Sequence, residues 1–396
     1  VFVLGLGRAL EEARTQRTFA FERGDELAVR ALVDDVRELG PVPAHLDALG
    51  AWIGECRDVL ARADDAPASV ARASALAPLL VRAEAWRETA RTLAQDTLEG
   101  EAAAWSAAIE DVRASPHYGG LALTPQLGLV PLRSDGGSGL WEFWVAASGA
   151  RPQPPLAEDR WNLRPEDGIV LVLVPGGRVA LGEAAQGNAR QVELAPYFLS
   201  KYELTQAQYE RLTGWRPSFF TPGMALPERF ASARQEFTAL NPVECVSWHD
   251  VDRFARRMGL RLPSIDEWER AARAGSATCL AFEGLEGVEN IADQSAIMVG
   301  HFARAAWNDG FAVTAPVGTF EPNAFGFFDV HGNVSEWTSE TGVEDWTGRR
   351  NANVRFLRGG SYYLPVEYSS ACFPQQDDAA ARNNTRGARL ARSLDS

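Results

Sequence analysis

The chain has 396 residues, 46% of them hydrophobic, enough apolar material for a large core and, by length, two or three domains. Its formal net charge of −14, from 39 Lys and Arg against 53 Asp and Glu, excludes a sequence-independent grip on nucleic acid, which needs many cations against the phosphates. Cys56, Cys245, Cys279 and Cys372 lie too far apart for CxxC knuckles or a dense disulfide framework, and His45, His117, His249, His301 and His331 form no HExxH or HxxxH pair, so zinc is not expected.

The first seven residues, VFVLGLG, are apolar but lack the Met and basic segment of a signal peptide. They are too few to span a bilayer, which takes about 20. Two readings stay open: the tail of a longer membrane span, or a helix start packed on its neighbours. Placement in the cytoplasm or as an extracytoplasmic ectodomain stays open with them.

From Arg8 to about Ser115 apolar residues recur at helical spacing. Leu27, Val29, Leu32, Val33, Val36 and Leu39 form one stripe, ended by Gly40-Pro41; Leu49, Trp52, Ile53, Cys56, Val59 and Leu60 form a second. Leu76, Leu79, Leu80, Ala83, Trp86, Ala90 and Leu93 form a third, and Trp105, Ile109 and Val112 a fourth. Residues 1–115 are therefore expected to make a helical bundle or stalk, with charges on solvated faces and no marked chemistry.

Gly, Pro and aromatics take over at 115–155, where apolar runs at 127–132 and 140–147 flank SDGGSG. This spacing predicts a small β-hairpin, assigned to a connector over 116–165. Beyond 166, turn residues and short strand-like runs such as Gly168 to Val174 prevail. Helices are expected at Thr205 to Thr213 and across 247–275, where Ser264 with Glu267 makes a capping box and Gly275 a C-cap. The fold class expected is α+β.

Six short blocks occur in a specific order: PGGRVALGE (175–183), FLSKYELTQAQYERL (198–212), NPVECVSWHDVDRFARRMGLRLPSIDEWERAARAG (241–275), NAFGFFDVHGNVSEWTSE (323–340), RFLRGGSYY (355–363) and RGARLAR (386–392). Together they resemble the formylglycine-generating enzyme, or sulfatase-modifying factor, family over roughly 166–394. The resemblance implies a variant of the C-type lectin fold for 166–396. The segment LTPQLGLVPLRSDGGSGLWEFW resembles the piece preceding such a domain in bacterial proteins that carry a Ser/Thr kinase, a membrane span and a stalk, so a kinase or membrane tether upstream is a further expectation.

Members of this family oxidise a substrate cysteine with a pair of copper(I)-binding cysteines, thiolates being the soft ligands that metal prefers. Carried over, the two positions are Leu364 and Ser369, and neither can act as a thiolate. No copper is expected. Cys372 lies three residues beyond the second position, an odd displacement that on a strand faces the other side. An oxidase using Cys372 with another cysteine brought near by the fold is the enzymatic alternative; a sensor domain of a Ser/Thr kinase is another. The ergothioneine-type sulfoxide synthases, a related branch with a three-histidine iron site, are excluded because the helical region offers only His45 and His117.

The resemblance also implies two calcium sites built from hard oxygen ligands. The first would use Asn290, Ile291, Asp309 and Phe311, with Ile291 and Phe311 acting through their carbonyls. The second would use Asp329, Gly332, Val334 and Glu336. In this fold the segment after RGGS lines the ligand cleft, which here would present Tyr362, Tyr363, Leu364, Tyr368, Ser369, Ser370 and Phe373, followed by Asn383 and Asn384. Tyr, Ser and Asn suit adaptable recognition. The resulting expectation is a non-catalytic domain binding a protein or peptide, with bacterial variable proteins diversified by retroelements as relatives that vary this same stretch.

Overall fold

The computed structural model describes residues 26–62, 67–153, 160–183, 187, 189–226, 235–280, 287–296, 305–343 and 350–394. The apolar start expected as a possible membrane tail lies outside them. No helix among the described residues is long and apolar enough to cross a membrane. Contacts divide the chain into two compact units, Val1–Gly100 and Glu101–Ser396.

In the first unit the three expected stripes become helices α1 (Glu26–Val36), α2 (Leu46–Ala61) and α3 (Pro67–Ala94). Leu32, Val36, Leu49, Trp52, Cys56, Leu76 and Trp86 are buried together in one apolar cluster. The Trp52 indole donates to the Leu32 carbonyl (2.8 Å), which satisfies the one polar atom its burial would strand. His45 accepts from the Gly40 amide at 2.9 Å and ties the turn between α1 and α2.

The fourth stripe belongs elsewhere. Helix α4 (Ala102–Ala114) buries Trp105 and Val112 in the core of the second unit, against Phe143 (ring centroids 5.6 Å apart). The bundle expected over 1–115 therefore ends at about Gly100.

Strand β3 (Val170–Val174) is the reason the second unit is larger than expected. Its five residues, VLVLV, are all buried, as a strand covered on both faces must be. It pairs on one side with β2 (Trp141–Val145), itself paired to β1 (Leu129–Ser134), and on the other with β6 (Tyr197–Ser200), which pairs with β11 (Ala391–Ser393). All these pairings are antiparallel, giving the sheet order β1-β2-β3-β6-β11. The hairpin read as a connector over 116–165 is thus an edge of the main sheet. Composition marked its glycine turn but not its partner, because strand pairing is a long-range property.

Strands β4 (Gly177–Leu181) and β5 (Arg190–Leu194) form a separate hairpin. A second sheet runs β10-β7-β8-β9, where β7 is Ser335–Val343, β8 Arg350–Arg358, β9 Gln375–Asp378 and β10 Arg386–Gly387. Helices α5 (Gln206–Thr213), α6 (Trp248–Arg257) and α7 (Ile265–Arg273) each begin with a capping box, at Thr205/Gln208, Ser247/Asp250 and Ser264/Glu267. At the end of α7, Ala274 takes the left-handed conformation with Gly275 following it at positive φ, and the Asn323 amide donates to the free carbonyls of Ala271 and Ala272.

Two buried ion networks brace the second unit, one within the main sheet and one between the sheets. Lys201 bonds Glu142 (2.5 Å) and Asp135 (3.2 Å) of the β1–β2 hairpin, and the Trp161 indole donates to Glu142 at 2.8 Å. Arg389 bonds Glu336 in β7 at 3.0 Å, with both side chains fully buried, and donates to the carbonyls of Ser200, Lys201 and Phe328. Replacing Arg389 by Met strands the Glu336 carboxylate, and the expected loss in unfolding free energy is about 3–5 kcal/mol, read from urea denaturation.

Candidate functional site

The RGG block leaves β8 through two glycines at positive φ, Gly359 and Gly360. A Cβ on Gly359 would sit 3.2 Å from the Trp268 ring, and one on Gly360 only 2.3 Å from Ser369 Oγ. Glycine is therefore required twice, for its conformation and for close approach. The Trp268 indole in turn donates to Glu336 at 2.6 Å, so the loop is clamped from beneath by the Arg389 network.

This clamp divides the expected ligand-binding residues into two sets. Tyr362 (2% exposed) and Ser369 (0%) are buried and cannot meet a partner. Tyr362 packs with Phe220, Phe237 and Val313, while Ser369 passes its carbonyl to His331 Nδ1 at 2.8 Å. Burial holds the His331 imidazole low, at about 4, and so neutral. Anchoring the loop uses these residues up. Tyr363, Leu364, Tyr368, Ser370 and Phe373 are half-buried, with Tyr368 and Phe373 in edge-to-face contact at 4.8 Å. Asn383 is exposed and Asn384 half-buried; Asn383 Oδ1 accepts from Thr385, and its carbonyl accepts from the Cys245 amide.

A surface that sequence reasoning passed over adjoins this set. After α5 the chain runs GWRPSFFTPGM, leaving Trp215 (42% exposed), Phe219 (58%) and Met224 (38%) open to solvent. Phe219 stacks edge-on to Phe220, which contacts Tyr362, and Tyr363 packs on the same aromatic cluster. The Arg382 guanidinium lies 5.5 Å over Trp215. The signal was present as aromatics and prolines in a loop with no apolar period. Beneath it, the Glu244 carboxylate accepts from the Phe220 amide at 2.8 Å, and burial pushes it up to about 7.

Leu364 and Ser369, the two positions that the resemblance implies for the thiol pair, carry no sulfur. The Leu364 carbonyl accepts from the Ala292 amide, and Ser369 lies sealed under Gly360. The fold does bring Cys372 to a second cysteine: Cys279 and Cys372, 93 residues apart in sequence, form a disulfide. Cys372 is 2% exposed, and its sulfur lies 3.6 Å from Glu269 Oε1. Between Ser369 and Cys372 the chain bends and turns and is not a strand, so the strand parity expected there does not apply.

The oxygen sites differ in fitness for calcium. In the first, Asn290 Oδ1 and Asp309 Oδ2 are buried without a hydrogen-bond partner, the condition of ligands awaiting a cation. Burial and Asp293 push the Asp309 carboxyl up to about 7, against the bonds it accepts from Ser295 and the amides of Phe311 and Ile291. The residues fit a hard cation. In the second, Glu336 already accepts hydrogen bonds from Arg389 and Trp268, while Asp329 accepts from the Gly318 amide through Oδ2 and keeps Oδ1 buried without a partner. Arg389 has taken the place a dication would hold on Glu336, so of the second set Glu336 is already engaged while Asp329 keeps one oxygen open.

Residues 162–394 match the Sulfatase-modifying factor enzyme 1-like domain. The chain belongs to this family. A formylglycine-generating enzyme of Streptomyces coelicolor is 30% identical over 273 residues, spanning 55% of this chain and 87% of that protein. The Inactive C-alpha-formylglycine-generating enzyme 2 of Mus musculus is 27% identical over 270 residues, spanning 56% of this chain and 85% of its own. Among solved structures, Treponema denticola variable protein 1 aligns over 57% of this chain and 95% of its own, at 20% identity and a TM-score of 0.46. The family domain here mixes helices and sheets, with further helices preceding it. The matched region begins after β1 and β2, so the sheet extends beyond the family match.

By the loop-closure relation, a bridge over 93 residues stabilises the fold by about 4–5 kcal/mol. Cys372→Ser, or reduction of the wild-type chain, is expected to lower stability by about 2–5 kcal/mol in guanidinium denaturation, with no further loss on reducing the variant.

Proposed function

We propose that this chain recognises an extended protein or peptide segment and does not oxidise it. The observation that carries the reading is the fate of the sulfur: Leu364 and Ser369 occupy the family's catalytic positions, and the nearby Cys372 is tied to Cys279. The surface available to a ligand is aromatic and rigidly mounted, with Phe219, Trp215, Tyr363, Tyr368 and Phe373 around the clamped loop. Rings with few rotatable bonds supply contact area at low entropic cost. The inactive relative supports this reading by showing that members of the family exist without the activity.

One observation favours a second reading. Two sulfurs do meet at Cys279 and Cys372, and a reduced pair is the kind of soft site that holds copper(I). Copper(I) titration of the reduced chain against a competing chelator separates the two readings. No tight one-to-one binding is expected; tight binding that disappears in Cys372→Ser would favour the oxidase reading instead. For recognition, selection from a random peptide library on the oxidised chain should enrich binders. Their affinity is expected to fall at least about tenfold in Phe219→Ala and Tyr363→Ala, as for central aromatic anchors.

We also propose a structural calcium ion at Asn290, Ile291, Asp309 and Phe311. The two orphaned side-chain oxygens there support it. Added calcium should raise the melting temperature with the logarithm of its concentration, by the equivalent of about 2.7 kcal/mol at a hundredfold excess over Kd. Asp309→Asn should abolish that gain, whereas Asp329→Asn should retain it.

A further inference from the structure

An open cavity of about 420 Å3 lies between the β4–β5 hairpin and the end of α7, lined by Arg178, Val179, Leu181, Arg270, Arg273 and Ala277 among others. Three arginines converge on it in a chain of net charge −14. They are not equivalent. Arg273 is satisfied, bonding Glu269 at 3.3 Å and the carbonyls of Gly182, Ser276 and Ala277. Arg270 is not: its guanidinium stacks 4.8 Å over Phe325, and its Nε is buried with no hydrogen-bond partner. Among the described residues it forms no ion pair, and burial lowers its affinity for its proton, with only Tyr197 offsetting. Arg178 is exposed at the rim, also without an ion pair among them, although Glu193 stands opposite it across the hairpin.

A half-buried guanidinium that is held flat against a ring and left without an acceptor is costly unless something supplies oxygens. The planar donor fork of Arg matches carboxylate and phosphate groups bidentately. The volume falls within the roughly 300–1,000 Å3 of small-molecule sites, and the Val179, Leu181 and Ala277 walls suit an apolar body. We infer that this cavity is a binding site for a small organic oxyanion, its phosphate or carboxylate group held between Arg270 and Arg178. The site is separate from the proposed peptide surface and does not depend on it. Its wall residues Ser276 and Ala277 lead directly to Cys279, so the occupant sits close in sequence to the disulfide that anchors the recognition loop.

The test is isothermal titration calorimetry of the full chain with inorganic phosphate and, separately, with succinate, at constant chloride ionic strength. Saturable one-site binding of either anion is expected, and which one binds identifies the oxyanion preferred. Arg270→Gln and Arg178→Gln should each weaken it about tenfold or more, as removal of a charge-assisted pair does. Arg270→Lys, which keeps the charge but not the fork, should fall between. Should Arg270→Gln fail to fold, the rim variant Arg178→Gln carries the comparison. No saturable binding of either anion by the wild-type chain, or an affinity unchanged in the glutamine variants, overturns the assignment.

Discussion

One guanidinium organises the second unit. Arg389 reaches across from the C-terminal strand region to Glu336 in β7, and its other donors satisfy carbonyls that follow β6 and precede β7. Glu336 holds the Trp268 indole, and the Trp268 ring in turn forbids a side chain at Gly359. A buried ion pair is weak evidence of net stability, since desolvation opposes it. What it supplies here is position: an unpaired Glu336 has no alternative partner of comparable quality, so the sheets, α7 and the glycine loop meet in one register. The same pair engages the one glutamate of the second oxygen set. A cation already occupies that carboxylate, and it is covalently part of the chain.

The sulfur chemistry follows a similar logic of reassignment. A catalytic thiol pair must be accessible and reducible. Here Leu364 is aliphatic, Ser369 is a hydroxyl packed within contact distance of a glycine, and the only bridged sulfurs among the described residues join segments 93 residues apart. The loop is thereby fixed at both ends, by Gly360 on Ser369 and by Cys372 on Cys279, with Tyr363, Tyr368 and Phe373 between or beside the anchors.

Much of this was legible in the sequence because it is local. The stripes of α1, α2 and α3, the cap at Thr205 and the capping box at Ser264, and the ordered blocks of the family domain all depend on residues within one element or one turn. What was not legible is long-range. Nothing near Trp105 says that its helix serves a sheet rather than a bundle, and nothing in WEFWV says which strand lies beside it. Tyr362 and Tyr363 are identical in composition, and only the fold decides that one anchors the loop while the other faces outward. The pairing of Cys279 with Cys372 is long-range in the same way, joining residues 93 apart. The exposed Phe219 loop was passed over because it has no period, although aromatics that no core claims are themselves a signal.

The β1–β2 hairpin has a practical meaning for anyone dissecting this protein. A fragment cut at residue 162, where similarity to the family begins, would strip two of five strands from the main sheet. It would bare Phe198 and leave Lys201 buried without Glu142 and Asp135. The smallest autonomous piece therefore starts ahead of α4, some sixty residues earlier than homology alone would place it.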